Sequence, residues 1–143
     1  MIRLMEINDY EEVFKQWVID DPLGLRKEED SYEAIDIFLK NNPTTSFVFE
    51  NEGKIIGSIL AGNDARRGYI YRISVVDKYN RNMICSALVD QTIKAMNALG
   101  IKKIGCHMYT DSIEERDFWL SQDFILREDL VYFDKLIGNE DDY

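Results

Sequence analysis

The most constraining stretch of the chain is VVDKYNRNMICSALVDQTIKAMNALGI, from Val75 to Ile101. It reads as the end of a strand, a short polar loop and a long helix closed by Gly100, a natural C′ residue. Cys85, Leu88, Val89, Thr92, Ile93, Met96 and Leu99 recur at helical spacing, so this stripe is expected to face a core. Many proteins hold a phosphate at such a junction, because the first amides of a helix have no intrahelical acceptor. The loop from Asp77 to Met83 contains no glycine, however. Spacing alone favours an ordinary strand–helix connection. A dinucleotide-binding fold is excluded, since no G-x-G-x-x-G and no long parallel series is present.

Upstream, Ile2 to Ile7 is a short candidate strand. Asn8 with Glu11 has the spacing of a capping box, and Tyr10, Val13, Phe14, Trp17 and Val18 form a buried helix face behind it. The break DPLGLRKEED separates this helix from a second, capped by Asp30 or Ser31. That helix turns Ile35, Phe38 and Leu39 inward and ends before Pro43. SFVFE and KIIGSILAG then predict a hairpin through Asn51-Glu52-Gly53, and NDARRG turns the chain into the strand YIYRISVV. Strict alternation places Ile70, Arg72, Ser74 and Val76 on one side of that strand, with Tyr69, Tyr71, Ile73 and Val75 on the other. After the long helix, KKIGCHMY is expected as a strand. Ser112-x-x-Glu115 has capping-box spacing for a helix through Phe118, Trp119 and Leu120, and FILREDLVYFDKL is expected to close the sheet. The order β-α-α-β-β-β-α-β-α-β(β) predicts an α/β fold over residues 1–143 as one domain, a mixed central sheet flanked by about four helices.

At 143 residues, with 45% apolar and 31% charged residues, the chain can bury a core without disulfides or metals. A net charge of −10 repels nucleic-acid phosphates and anionic membranes, so neither is an expected partner. Cys85 and Cys106 lack CxxC spacing and His107 is the single histidine, so no metal site is expected. No apolar run approaches the ~20 residues that span a bilayer. The start, MIRLMEINDYEEV, turns polar too early for a signal peptide. A cytoplasmic protein with reduced thiols is the expectation. The oligomeric state is open, a homodimer included.

With these elements placed, the segment from Ile55 to Leu136 resembles the GNAT superfamily of acyl-CoA-dependent N-acyltransferases, in particular short bacterial members made of a single such domain. GSILAGNDARRGYIY matches the hairpin leading into the family's fourth strand. SVVDKYNRNMICSALVDQTIKAM stands where the family shows V-x-P-x-[YF]-R-G-x-G-[IL]-[GA]-x-x-L, and DSIEERDFWLSQDF where it shows N-x-x-A-x-x-F-Y-x-x-x-G-F. LVYFDKL resembles the closing strand. The first 45 residues or so match by element order alone. The resemblance implies a GNAT-like fold, acetyl-CoA as co-substrate, and transfer of an acetyl group to a primary amine of a small molecule or protein.

In that family the acyl-CoA pyrophosphate lies against the amides that open the helix after the fourth strand, and main-chain groups at the strand's end contact the pantetheine. The second role falls on Ser74, Val75 and Val76. Asn80 stands at the family's arginine, Arg81 at its first glycine, Met83 at the second and Cys85 at the third small residue; Asp77 replaces the common proline. Tyr79, Ile84, Ala87 and Leu88 keep the expected character, and Lys78 and Arg81 offer charge. The implied cofactor-binding set is therefore Ser74, Val75, Val76, Asn80, Arg81, Asn82, Met83, Ile84, Cys85 and Ser86, with Ser112 and Trp119 on the final helix. Many members use the tyrosine of the F-Y pair as an acid. Here the pair is Phe118-Trp119, and an indole cannot take that role. Candidate proton relays are Tyr71 and Tyr109, with His107 and Glu50 behind them, and packing is the competing reading for each. Cys85 reads as a nucleophile or as buried packing, its stripe favouring packing. Cys106 and His107 are adjacent on a strand and point to opposite faces, which excludes a Cys-His pair. The first two helices and DPLGLRKEED are expected to hold the acceptor. The alternative reading is a non-catalytic relative with impaired or lost acyl-CoA binding, serving as a ligand- or partner-binding protein.

Overall fold

In the computed structural model, residues 1–76 and 79–138 are described; Asp77, Lys78 and the acidic end NEDDY lie outside them. Among the described residues the alternating apolar runs form one mixed sheet, in the order β1-β2-β3-β4-β5. β1 (Ile2–Leu4), β2 (Phe47–Asn51), β3 (Lys54–Asn63) and β4 (Gly68–Val75) pair antiparallel, and β5 (Ile104–Cys106) joins β4 in parallel. Two tight turns build the meander, Glu52-Gly53 between Asn51 and Lys54, and residues 64–67 between Asn63 and Gly68.

Helices cover both faces. On one face, α1 (Tyr10–Asp20) and α3 (Tyr32–Asn41) press Val13, Trp17 and Ile35 against Val48, Ile55 and Leu60. A 3-10 turn, Pro22–Gly24, and a one-turn helix α2 (Lys27–Asp30) connect them. On the other face, α4 (Arg81–Ala98) and α5 (Ile113–Ser121) lay Ile84, Leu88, Val89 and Trp119 over Ile56, Ile59, Ile70 and Val75. α4 approaches β3 at Gly57, where an added Cβ would sit 3.0 Å from Ile84 and 3.3 Å from Val75. Glycine there lets helix and sheet close without a gap. α4 ends as its sequence predicts. Gly100 has φ +81°, its amide bonds Asn97 O and the Ile101 amide bonds Met96 O, the paired contacts of a Schellman motif.

Several expectations are corrected. Asn8 does not cap α1. It lies in a 3-10 turn, Ile7–Asp9, and Asp9 holds the N-cap position. The Asp9 carboxylate is occupied by Arg3, at 2.9 Å through two nitrogens, and by the Glu6 amide at 2.8 Å, so none of it turns to the helix. Ser31 rather than Asp30 caps α3, accepting from the Ala34 amide. In α4, Ile93 and Leu99 leave the buried stripe and are exposed. The strand expected over KKIGCHMY shrinks to three residues. No strand is present between 124 and 138, although FILREDLVYFDKL was expected to form one. The segment carries β-prone side chains but no backbone pairing, and Val131, Phe133 and Ile137 are nearly fully exposed.

Leu88 is fully buried between α4 and the sheet. Leu88→Ala should cost about 2–5 kcal/mol in urea unfolding, while Ile93→Ala on the exposed side of the same helix should change stability by less than about 1 kcal/mol.

Candidate functional site

β4 and β5 are paired only through Gly68↔Ile104, Tyr69↔Gly105 and Ile70↔Cys106. Just there the register against β3 slips, from Ala61↔Ile70 to Leu60↔Arg72, so Tyr71 is an extra residue without an opposite number. This β-bulge bends β4 and re-aims its side chains. The strict alternation expected from sequence fails for that reason. Ile70, Ile73 and Val75 all pack in the core under α4, whereas Tyr71, Arg72 and Ser74 turn to the α1 and α3 side. Beyond Ile70 the edge of β4 that faced β5 is unpaired among the described residues, and the strand ends at Val75, six residues before α4 begins at Arg81.

The start of α4 is set by Asn80, whose side chain accepts from the Met83 amide at 3.2 Å while its carbonyl takes the Ile84 amide at 3.1 Å. The amides of Arg81 and Asn82 have no acceptor within the helix by position. Arg81 reaches back along the gap and donates from Nη1 to the Val75 carbonyl at 3.1 Å. The Val76 amide bonds Ile56 O at 2.9 Å, which directs the neighbouring Val75 main-chain groups the other way, towards the gap. Met83 is exposed at the helix start, Ile84 and Cys85 are buried beneath it, and Ser86 Oγ donates to Gln122 at 3.1 Å, tying α4 to the end of α5. Burial pushes the Cys85 thiol up to about 11 and the Cys106 thiol up to about 12. Neither is a poised nucleophile.

Ser112 is the N-cap of α5 but makes no side-chain cap bond. Trp119 is buried with Phe118 and Phe124 around it, and its indole N–H has no hydrogen bond of ordinary geometry. The group beside that N–H is Glu115, one turn earlier on the same face. Ser112-x-x-Glu115 has the spacing of a capping box, but no side-chain cap forms there. Glu115 stands four residues before Trp119 and is half-buried on the same side of α5.

Across the gap, the end of α1 supplies Asp20 and Asp21. Asp20 accepts from Ser74 Oγ. Asp21 accepts from the Tyr109 hydroxyl at 3.1 Å and lies 3.6 Å from Arg72. Arg72 also bonds Asp30 at 3.3 Å and the Gly24 carbonyl at 3.1 Å, and stacks 5.4 Å above the Trp17 ring. One guanidinium thus fixes α1, the Pro22–Gly24 turn and α2 against β4. Burial and then Asp21 raise the Tyr109 hydroxyl pKa, holding it protonated. Tyr71 meets the Phe38 ring edge-to-face and the Tyr69 ring at a tilt. His107 hydrogen-bonds Tyr69 and stacks on Tyr132. Glu50 pairs with Arg3 on β2, two strands from β4, and is not near the gap. Val75 and Arg81 meet at the gap, with Ser74 and Val76 on either side of Val75; Cys85 and Trp119 are buried in the core, Tyr109 bonds Asp21, and Glu50 lies outside. No group of three His, Cys, Asp or Glu among the described residues is arranged to hold a metal, and no described helix is long and apolar enough to cross a membrane.

A model of the acetyltransferase (GNAT) family matches residues 11–124. The chain belongs to this family. An acetyltransferase of Sodalis glossinidius is 27% identical over 142 residues, covering 99% of each chain. One from Pectobacterium atrosepticum is 32% identical over 103 residues, 72% of each. Among solved structures, an aminoglycoside acetyltransferase from an uncultured soil metagenomic sample, in complex with trehalose, superposes with TM-score 0.77 at 20% identity over 96% of each chain. The aminoglycoside N-acetyltransferase AAC(6')-Iy in complex with CoA superposes with TM-score 0.76 at 14% identity, over 94% of this chain and 93% of that one. At these identities the structural likeness speaks for the fold. It shows the bulged fourth strand and following helix to be set in a GNAT fold.

Asn80→Ala removes the only side-chain cap of α4 among the described residues and should cost about 1 kcal/mol, read by thermal or urea unfolding. Both thiols should react slowly with an aromatic disulfide at pH 8 in the native state and fast in denaturant. Rapid native labelling of Cys85 would contradict its burial.

Proposed function

We propose that the protein is an N-acetyltransferase that moves an acetyl group from acetyl-CoA to a primary amine. The observation that carries this reading is the gap beside β4, opened at Tyr71 and ending at the first turn of α4. In it, the main-chain groups of Val75, between Ser74 and Val76, offer hydrogen bonds to a pantetheine arm or a thioester carbonyl, and the amides of Arg81 and Asn82 face an anion at the positive end of the helix. Asn80, Met83, Ile84, Cys85 and Ser86 shape that turn, and Ser112 and Trp119 form the α5 wall. Arg81 has two uses in this scheme. Its bond to the Val75 carbonyl yields to a pantetheine amide, and the released guanidinium turns to the phosphates. An acceptor approaching from the α1 side would meet Asp20 and Asp21, which suits a cationic amine.

The non-catalytic alternative is not favoured. The relatives that match almost the whole chain carry the name acetyltransferase, and the main-chain donors of the gap do not depend on the glycines replaced by Arg81 and Met83. Calorimetric titration with acetyl-CoA should show saturable binding, and mass spectrometry should show acetylation of a member of a diverse amine panel. Absence of binding at millimolar acetyl-CoA would contradict the reading.

We further propose a homodimer, supported by the exposed apolar side chains of Leu130, Val131, Tyr132 and Phe133, which the described chain leaves uncovered. Light scattering should return twice the chain mass at micromolar concentration; a monomer would refute it.

A further inference from the structure

A cavity of about 370 Å³ lies at the β3–β4 hairpin and shares Tyr71 with the head of the gap. Tyr69 and Tyr71 line it, their ring centroids 5.0 Å apart, together with Gly62, Arg66 and Arg67. About 150 Å³ is room enough for a benzene ring, and ligand cavities run from roughly 300 Å³ upward. The two tyrosine rings are held from both sides. Phe38 meets Tyr71 edge-to-face at 5.7 Å, and His107, stacked on Tyr132, hydrogen-bonds the Tyr69 hydroxyl. Gly105 of β5 lies against the Tyr69 ring, where an added Cβ would sit 3.6 Å from it. Tyr71 is nevertheless 52% exposed, so its ring is seated but open to a ligand. Charge differs between the two ends of this surface. At the hairpin Arg66 pairs with Asp64 at 3.0 Å, whereas the Arg67 guanidinium has no partner among the described residues. Towards the end of β4, Ser74 donates to Asp20, and Asp21 accepts from Tyr109 at 3.1 Å and lies 3.6 Å from Arg72. Three residues of strand, about 10 Å, separate Tyr71 from Ser74.

We infer that this cavity is the ring site for the acceptor, which is a primary amine carried on an aromatic body by a short alkyl arm; the inference rests on the acetyltransferase reading above. The ring lies against Tyr69 and Tyr71, and the Arg67 guanidinium stacks on its open face. The arm follows β4 past the bulge. Its ammonium comes to rest by the carboxylates of Asp20 and Asp21, one residue from the free main-chain groups of Val75. Orientation follows from charge. Arg66 and Arg67 repel an ammonium from the hairpin end and the two carboxylates attract it at the other, so the reversed molecule is disfavoured. Selectivity follows from the rings. An aliphatic amine reaches the same carboxylates but leaves Tyr71 uncovered and forgoes the stack with Arg67. Tyr71 thus serves through its ring, whereas a proton relay would need its hydroxyl.

The test uses phenylbutylamine and hexylamine, amines of similar reach that differ in the ring, with acetyl-CoA and the full chain. Wild type should favour phenylbutylamine about tenfold or more in kcat/KM. Tyr71→Ala should remove that preference through a rise of about tenfold in KM for phenylbutylamine, with a much smaller change for hexylamine. Tyr71→Phe, which keeps the ring, should restore the preference, and Arg67→Ala should reduce it about threefold. Calorimetric titration with phenylbutylamine, CoA being present, should rank the four proteins in the same order without turnover. Equal kcat/KM for the two amines in wild type would overturn the inference, as would a preference unchanged in Tyr71→Ala or in Arg67→Ala. Arg67 is exposed and unpaired, so its variant decides the matter even where Tyr71→Ala fails to fold. A preference that Tyr71→Phe does not restore would assign the role to the hydroxyl, and tighter binding of benzoate than of phenylbutylamine would make the cavity an anion site; either result overturns the inference. Failure of the wild type to bind acetyl-CoA would overturn the acetyltransferase reading, and the acceptor role with it. Absence of phenylbutylamine binding in a protein that does bind acetyl-CoA would overturn this inference alone.

Discussion

Backbone pairing between β4 and β5 stops at Ile70↔Cys106, where β4 takes in Tyr71 as one residue more than β3 can match. The rest of the molecule's interest depends on that stop. A parallel pair continued to Val75 would spend every main-chain group of β4 on its neighbours. The bulge instead bends the strand, and its last residues leave with one edge unpaired. Because β4 leads within a few residues into an 18-residue helix, the unpaired edge and a helix start come to lie side by side. Two sources of main-chain hydrogen bonding thus converge without needing a particular side chain.

The opened gap must still be held open, and charge does that. Arg72, displaced to the α1 side by the bulge, binds Asp21, Asp30 and the Gly24 carbonyl and lies over Trp17. It anchors α1 and the connection to α3 on β4 opposite the α4 side. In a chain of net charge −10, acidic residues around one half-buried arginine are drawn to a place instead of dispersing over the surface. Ser86 with Gln122, and the Trp119 cluster, hold α5 to α4 on the far wall. The gap is therefore walled by two contacts of different kinds, an ion network on one face and an aromatic core on the other.

Periodicity made most of this architecture legible in the sequence. The α4 stripe, its Schellman end at Gly100 and the hairpins around 52–53 and 64–67 each have a local signal, and each is present. The β-bulge does not. An inserted residue in YIYRISVV alters which side chains face which layer without altering composition, so alternation assigned Ile70 to the wrong face. FILREDLVYFDKL was read as a strand because its side chains favour one. A strand also needs an edge to pair with, and β5 offers only three residues. At the site, Ser74, Val75 and Val76 come from the resemblance to the family, and the structure puts the free main-chain groups of Val75 beside the start of α4. Of the candidate proton relays, Glu50 pairs with Arg3 away from the gap, Tyr71 meets Phe38 edge-to-face, and Tyr109 bonds Asp21 at the end of α1. Ser112-x-x-Glu115 fits a capping box in the sequence, yet Ser112 makes no side-chain cap bond in the structure.

The central claim is that main-chain groups beside the bulge, not side chains, receive the acyl donor. Amide chemical-shift mapping by NMR during titration with acetyl-CoA tests it most directly. The largest shifts are expected at the amides of Val75, Arg81 and Asn82, with small changes in α1 and α3. Saturable binding whose shifts map elsewhere, with those three amides unmoved, would contradict it.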